Sequence, residues 1–393
     1  MSEDETGAPT ARILEAARRR LAEGGFRDLT LRPVAEASGA TMAALTYHFN
    51  SKNQLISRLV ELERAADARA HEVFAGRYAS LPALTPAASA ALLEDYLDTA
   101  AGSARATSMI WIELLLRGAN DEEARALVRP WIEERRAFWR DLLAGRVEDP
   151  EAFAQVALAY VTDETAHSLA QGEEADYRLL RRMGLERLTS RGRRVELSQP
   201  AMFEATVRRL DRVLEMPGAS SEAQPFPKRA HAIAMAAGEV IVADGAEAVT
   251  HRAVGERAGA PASSVAYHFR TRLDLLRAGL AVIYLVAQGR LSAGEGPGAV
   301  KGFVVRGTLS VALAAARDPG LRPFAVDLRR LRGENLRRNL AEIHGNQPAL
   351  DLCMAQAISI SWMGATLLSF AADASPAGAE QVAEWLVNGA LKI

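Results

Sequence analysis

The sequence predicts an all-α protein in which one helical unit occurs twice. Three observations carry that prediction. Residues 30–49, TLRPVAEASGATMAALTYHF, return at 250–269 as THRAVGERAGAPASSVAYHF, with no gap between the copies. The same offset holds upstream through Ile13/Ile233, Ala16/Ala236, Ala17/Ala237 and Gly25/Gly245, and downstream to Leu55/Leu275. A fixed offset over some fifty residues marks a duplication, and a period this long makes each copy the head of its own domain rather than a turn of a solenoid. Ala, Leu, Glu and Arg dominate while aromatics reach only 6%, a composition that favours helix over sheet. Finally, apolar residues recur at helical spacing within each copy.

The elements follow in order. Ile13, Ala16, Ala17 and Leu21 form the inner stripe of a first helix, which Gly24-Gly25 ends. Thr30 is placed to cap a second helix carrying Val34 and Ala35 inward and stopping at Gly39. Thr41 caps a third, short helix running to about Phe49. Ser51 caps a fourth, with Lys52 in its first turn and Leu55, Ile56 and Leu59 on its inner face. Helix, glycine turn, helix is the helix-turn-helix arrangement, whose second helix enters the major groove of DNA.

With Gly39, the Tyr-His-Phe triplet ending at Phe49 and the following Ser51-Lys52, the chain resembles the TetR family of transcriptional regulators. The second copy repeats the pattern with Gly259, Pro261 to Phe269 and Thr271-Arg272. The resemblance is specific in the heads, roughly residues 10–60 and 228–280, and elsewhere rests on helical character and length. It implies a fold of two tandem units, each a three-helix head followed by a helical ligand-binding and dimerisation body. Paired within one chain, they make a pseudo-dimer. The expected domains are a first head at 1–60, a first body at 61–215, a linker at 216–228, a second head at 229–280 and a smaller second body at 281–393. The linker, MPGASSEAQPFPK, combines three prolines with Gly and Ser. Fully extended, a dozen residues span about 40 Å, enough to join one body to the other head.

The resemblance carries DNA contacts onto Thr30, Arg32, Thr41, Met42, Ala43, Thr46, Tyr47, His48 and Lys52 of the first head. In the second it carries them onto Thr250, His251, Arg252, Ser263, Ser264, Tyr267, His268 and Arg272. Short side chains let a helix approach the groove, and Thr and Met methyls suit thymine methyls. Arg32, Lys52, Arg252 and Arg272 sit in first helical turns, where they and free N–H groups can hold phosphate. Pro261 replaces the capping Thr41, and Ala262-Ser263-Ser264 replaces Met42-Ala43-Ala44, so the two heads are expected to read different bases. Phe49 and Phe269 are read as core. His48 and His268 are not read as metal ligands, because neither has a partner at i+4. Residues 10–60 carry a net charge of +4 and residues 226–280 of +2, against −2 for the whole chain, which is the footprint of basic heads on acidic bodies.

The first body is rich in large residues that could surround an effector: Met109, Trp111, Trp131, Phe138 and Tyr160, with Glu113 or His167 as polar anchor. Its arginines from Arg178 to Arg194 read as a solvated face. In the second body a single helix is expected over about 319–345. Leu352 to Ala372 has 21 residues without a charge, long enough to span a bilayer. Gln356, Ser359, Ser361, Thr366 and Ser369 dilute it, so it reads as a helix buried between helices. One cysteine, Cys353, and a polar start are expected of a cytoplasmic chain.

No nucleotide loop, CxxC, HExxH or GxSxG motif occurs, and neither enzymatic activity nor a cofactor is expected. The expected function is a ligand-responsive repressor whose partners are operator DNA, a small apolar effector and its own other half, with no membrane. The competing expectation is an interaction or scaffold protein whose heads no longer bind DNA. The retained Arg32/Lys52 and Arg252/Arg272 pairs argue against it.

Overall fold

The computed structural model describes residues 3–190, 200–210, 226–287, 297–334, 336, 351–373 and 377–391. Among these every regular element is helical, and there is no strand. The first head consists of α1 (Glu3–Asp28), α2 (Leu31–Ser38) and α3 (Met42–His48), and α4 (Lys52–Tyr78) runs from it into the body. The body continues with α5 (Pro86–Ala101), α6 (Arg105–Gly118), α7 (Glu122–Leu143), α8 (Pro150–Gln171), α9 (Ala175–Ser190) and α10 (Pro200–Arg209). The second head is α11 (Lys228–Asp244), a 3-10 turn Ala246–Ala248, α12 (His251–Ala258) and α13 (Ala262–His268). After it come α14 (Arg272–Ala287), α15 (Pro297–Arg317), α16 (Arg322–Arg330), α17 (Leu352–Asp373) and α18 (Ala377–Leu391).

Two of the three expected caps form: Thr41 accepts the Ala44 N–H at 3.1 Å and Ser51 that of Gln54 at 3.1 Å. In the second head Thr250 likewise accepts the Ala253 N–H at 3.1 Å. Thr30 is a correction: it holds the N-cap position of α2 in extended conformation, but its hydroxyl makes no capping bond. The single helix expected over 319–345 is also corrected. A 3-10 turn occupies Pro319–Leu321, α16 ends at Arg330, and Gly333 turns the chain at φ 81°. A Cβ on Gly333 would collide with the backbone of Ala355 and Gln356, so the chain turns where it meets α17. Most of the expected linker, with Arg191, Arg193 and Arg194, lies outside the described residues. Its last part belongs to the second head, where the ring of Phe226 packs edge-on against Phe269 at 5.8 Å.

The uncharged stretch forms α17, long and apolar enough by length and composition to cross a membrane, with 78% of its most apolar window buried inside the protein. It packs along α8, itself buried along nearly its whole length. At their crossing a Cβ on Gly364 would overlap the Ala159 carbonyl oxygen, so the two helices touch backbone to backbone. One apolar core joins Trp111, Val128 and Leu158 to Leu309, Ile360 and Met363. Charges cross the same boundary. Arg329 Nε donates to both carboxylate oxygens of Glu164, at 2.9 and 3.0 Å, and Arg332 pairs with Asp163 at 3.0 Å, all four residues buried. The arginine run is not a solvated face throughout: Arg181 is buried and pairs with Asp98, and Arg187 is buried and pairs with Asp351 at 3.0 Å.

Candidate nucleic-acid interface

The two short helices are built alike. Gly39 at φ 68° and Gly259 at φ 63° close α2 and α12 in the left-handed conformation. A Cβ would meet nothing within 4 Å at either, so glycine is required by backbone angle and not by space. The turn then lays α3 and α13 across their heads. Leu45 and Val265 plug inward, and Phe49 and Phe269 close the far end, both buried as expected.

The outward faces match at most positions, Thr46 being exposed where Ala266 is half-buried. Thr41, Met42, Ala43, Thr46 and Tyr47 are exposed in the first head. In the second, Ser263 and Tyr267 are exposed while Ser264 is half-buried. Tyr47 is 81% exposed and Tyr267 82%, large aromatic surface that no intramolecular packing accounts for. Each tyrosine sits edge-on to the following histidine, at 5.3 Å for His48 and 5.2 Å for His268. His48 Nδ1 lies 3.2 Å from the Thr10 hydroxyl, which holds its ring to the head.

The basic residues divide into two kinds. Arg32 and Arg252 stand exposed, each tied only to the glutamate one turn on, Glu36 at 3.1 Å and Glu256 at 2.9 Å. Lys52 and Arg272 instead hold their own heads together. Lys52 Nζ donates to the Phe26 carbonyl at 3.1 Å, and Arg272 donates to Val249 at 3.0 Å and to Ala246 at 3.3 Å. Phe26 and Ala246 are equivalent positions of the repeat, so both side chains fasten the same turn. Burial and the neighbouring Arg117 lower the Lys52 pKa. His251 Nε2 donates to the Phe269 carbonyl at 2.7 Å, a bond within the head.

The seven residues read as effector contacts do not share one cavity. Trp111 and Trp131 are buried against each other with ring centroids 5.2 Å apart, under the guanidinium of Arg135, and Met109 is buried in the same core. Phe138 stacks on His71 at 3.9 Å. Tyr160 and His167 are buried in α8, the helix that carries the Glu164–Arg329 pair. Glu113 accepts from Arg317 at 2.9 Å and from the Phe26 N–H at 3.3 Å.

Sequence reasoning missed the joint between the heads. Arg317, at the end of α15, donates to the Ala22 carbonyl at 3.0 Å and pairs with Glu113 and Glu247, each at 2.9 Å. Arg27 donates to the Glu247 carbonyl at 2.9 Å. Arg27 and Glu247 are equivalent positions, which would bear like charges had the copies stayed identical. The reversal of sign at that position was the available signal.

This geometry defines a helix-turn-helix DNA-binding head. Residues 13–59 match the family described as bacterial regulatory proteins, tetR family. The first head is therefore a TetR-type DNA-binding domain, which supports a transcriptional regulator with DNA as its partner. No curated protein matches the chain.

Proposed function

We propose that the chain is a ligand-responsive transcriptional repressor that grips one asymmetric operator with two non-identical heads. The observation that carries this reading is the paired exposure of Tyr47 and Tyr267 on helices of the same build. A helix presented this way enters a major groove, and two of them side by side read two half-sites. The contact residues proposed are Arg32, Thr41, Met42, Ala43, Thr46 and Tyr47 in the first head, and Arg252, Ser263, Ser264 and Tyr267 in the second. The packing of α8 on α17, with the Glu164–Arg329 and Asp163–Arg332 pairs joining α8 to α16 and the turn after it, supports reading the two halves as a pseudo-dimer within one chain.

One observation favours the scaffold reading. Lys52 and Arg272 fasten their own heads, so packing alone accounts for a basic residue at both positions. Fluorescence anisotropy on labelled DNA from upstream of the chain's own gene separates the two. The regulator reading expects binding that weakens on Tyr47→Ala and on Tyr267→Ala, and an Arg32→Ala change that flattens the salt dependence by about one unit. The scaffold reading expects no sequence preference in any of these chains.

A further inference from the structure

Between the two heads lies an open cleft of about 630 Å³, a size that suits a small-molecule ligand. Its walls come from the end of α1, the end of α6, the end of α11 with the 3-10 turn, and one face of α15. Every carboxylate on those walls already has a guanidinium. Glu113 and Glu247 share Arg317, Asp121 pairs with Arg117 at 3.0 Å and Asp244 with Arg257 at 3.4 Å.

Arg306 breaks that balance. It is half-buried, its Nε donates to the Gly302 carbonyl one turn back at 3.1 Å, and among the described residues no acid pairs with it. Burial lowers its pKa with no carboxylate to offset it. One turn on, Ser310 is 6% exposed, and its hydroxyl accepts the Ala246 N–H at 3.0 Å while keeping its own proton to give. Spaced i, i+4, the two side chains share one face of α15. Phe26, Leu116 and Leu313 supply apolar wall.

We infer that this cleft is an effector site for a small carboxylate with an apolar body. The carboxylate takes the free guanidinium nitrogens of Arg306 and the Ser310 hydroxyl, and the apolar part lies along Phe26, Leu116 and Leu313. A charge-assisted pair to a half-buried arginine is stronger than a neutral hydrogen bond, which gives the site its preference for an anion. The assignment deepens the regulator reading and rests on it for its meaning. The α15 face that carries Arg306, Ser310 and Leu313 continues to Arg317, the side chain that ties the first head to the second. An occupant touching both heads binds one head spacing better than another, and only such a difference lets a ligand shift DNA affinity.

The test uses the full chain with benzoate, phenylacetate and octanoate as probes, each against its primary amide, read by saturation-transfer NMR. The carboxylates should bind at millimolar concentration or below, and the amides at least tenfold more weakly. Arg306→Met should weaken carboxylate binding at least tenfold at unchanged helical content, and Arg306→Lys should restore part of it. Absence of binding by all three carboxylates, or equal binding to the Arg306→Met chain, overturns the site. Spin labels at Tyr47→Cys and Tyr267→Cys, with Cys353→Ser, report head spacing. Saturating carboxylate should shift that distance in the chain with Arg306 and leave it in Arg306→Met, and binding without a shift overturns the effector role. Carboxylate binding with head movement but no DNA binding sinks the regulator reading and leaves the site standing. DNA binding with no carboxylate in the cleft does the reverse.

Discussion

The two heads are built alike but sit on different mounts. In the first, Arg18 on α1 pairs with Glu63 on α4 at 2.5 Å, and the Thr107 hydroxyl of α6 donates to the same carboxylate at 2.7 Å. The equivalent positions of the second copy are Gly238 and Ile283, and Leu59 is matched by Gly279. There α11 and α14 close to backbone contact, so that a Cβ on Gly279 would stand 2.9 Å from the Ala237 carbonyl carbon. The first head rides on polar links and a helix that continues to a buried charge cluster at Asp67, His71 and Arg135; the second is packed directly through apolar contacts. The short outward helices are built alike, and the attachments differ. The first mount holds the buried ionisable groups Asp67, His71 and Arg135, so it is expected to be the one that responds to charge and pH.

The largest effect should come from that charge cluster. Arg135 donates to both oxygens of Asp67, at 2.8 and 2.9 Å, and all of it is buried. Arg135→Met leaves the carboxylate buried without its partner and should cost about 3–5 kcal/mol, measured by urea unfolding. An unchanged urea midpoint in Arg135→Met would count against a structural role for the cluster.

Acid should act on the same place. Burial pushes the His71 pKa down from 6.5 to about 4, against the opposing pull of Asp67. A histidine depressed in the folded state keeps the native form whole above pH 6.5 and weakens it as pH falls toward 4, by roughly 3 kcal/mol. His71→Asn should flatten the melting temperature between those limits. An unchanged slope would place the acid sensitivity elsewhere.

Gly279→Ala should cost about 1–3 kcal/mol by forcing α11 and α14 apart, while Leu59→Ala in the first head opens a cavity instead. Differential scanning calorimetry checks this: alanine at Gly279 should lower the melting temperature. Smallest of all, Thr41→Ala removes the α3 cap and should cost about 1 kcal/mol. The matching Pro261→Ala change has no cap bond to lose.

How much of this was legible in the sequence follows from how local each determinant is. The helix-turn-helix elements were readable because Gly39, Thr41 and Ser51 act within a few residues of themselves. The burial of Leu352–Asp373 was readable because a helix with no charged face has nowhere else to go. The cap at Thr30 was misread because the residue type allows that bond without requiring it. Lys52 and Arg272 were read as phosphate ligands because a basic first turn suits phosphate, and nothing local reveals a carbonyl on another helix within 3.1 Å. Arg317, Glu113 and Glu247 meet across segments far apart in the chain, which no periodicity encodes.

The proposed regulator has two heads that read different half-sites. Nuclease footprinting of the full chain on its upstream DNA, repeated with Tyr47→Ala and with Tyr267→Ala, tests it directly. The expected result is two dissimilar half-sites about one helical turn or a multiple apart, with each substitution thinning protection over one half and sparing the other. A perfect palindrome weakened equally at both halves by either substitution would contradict it.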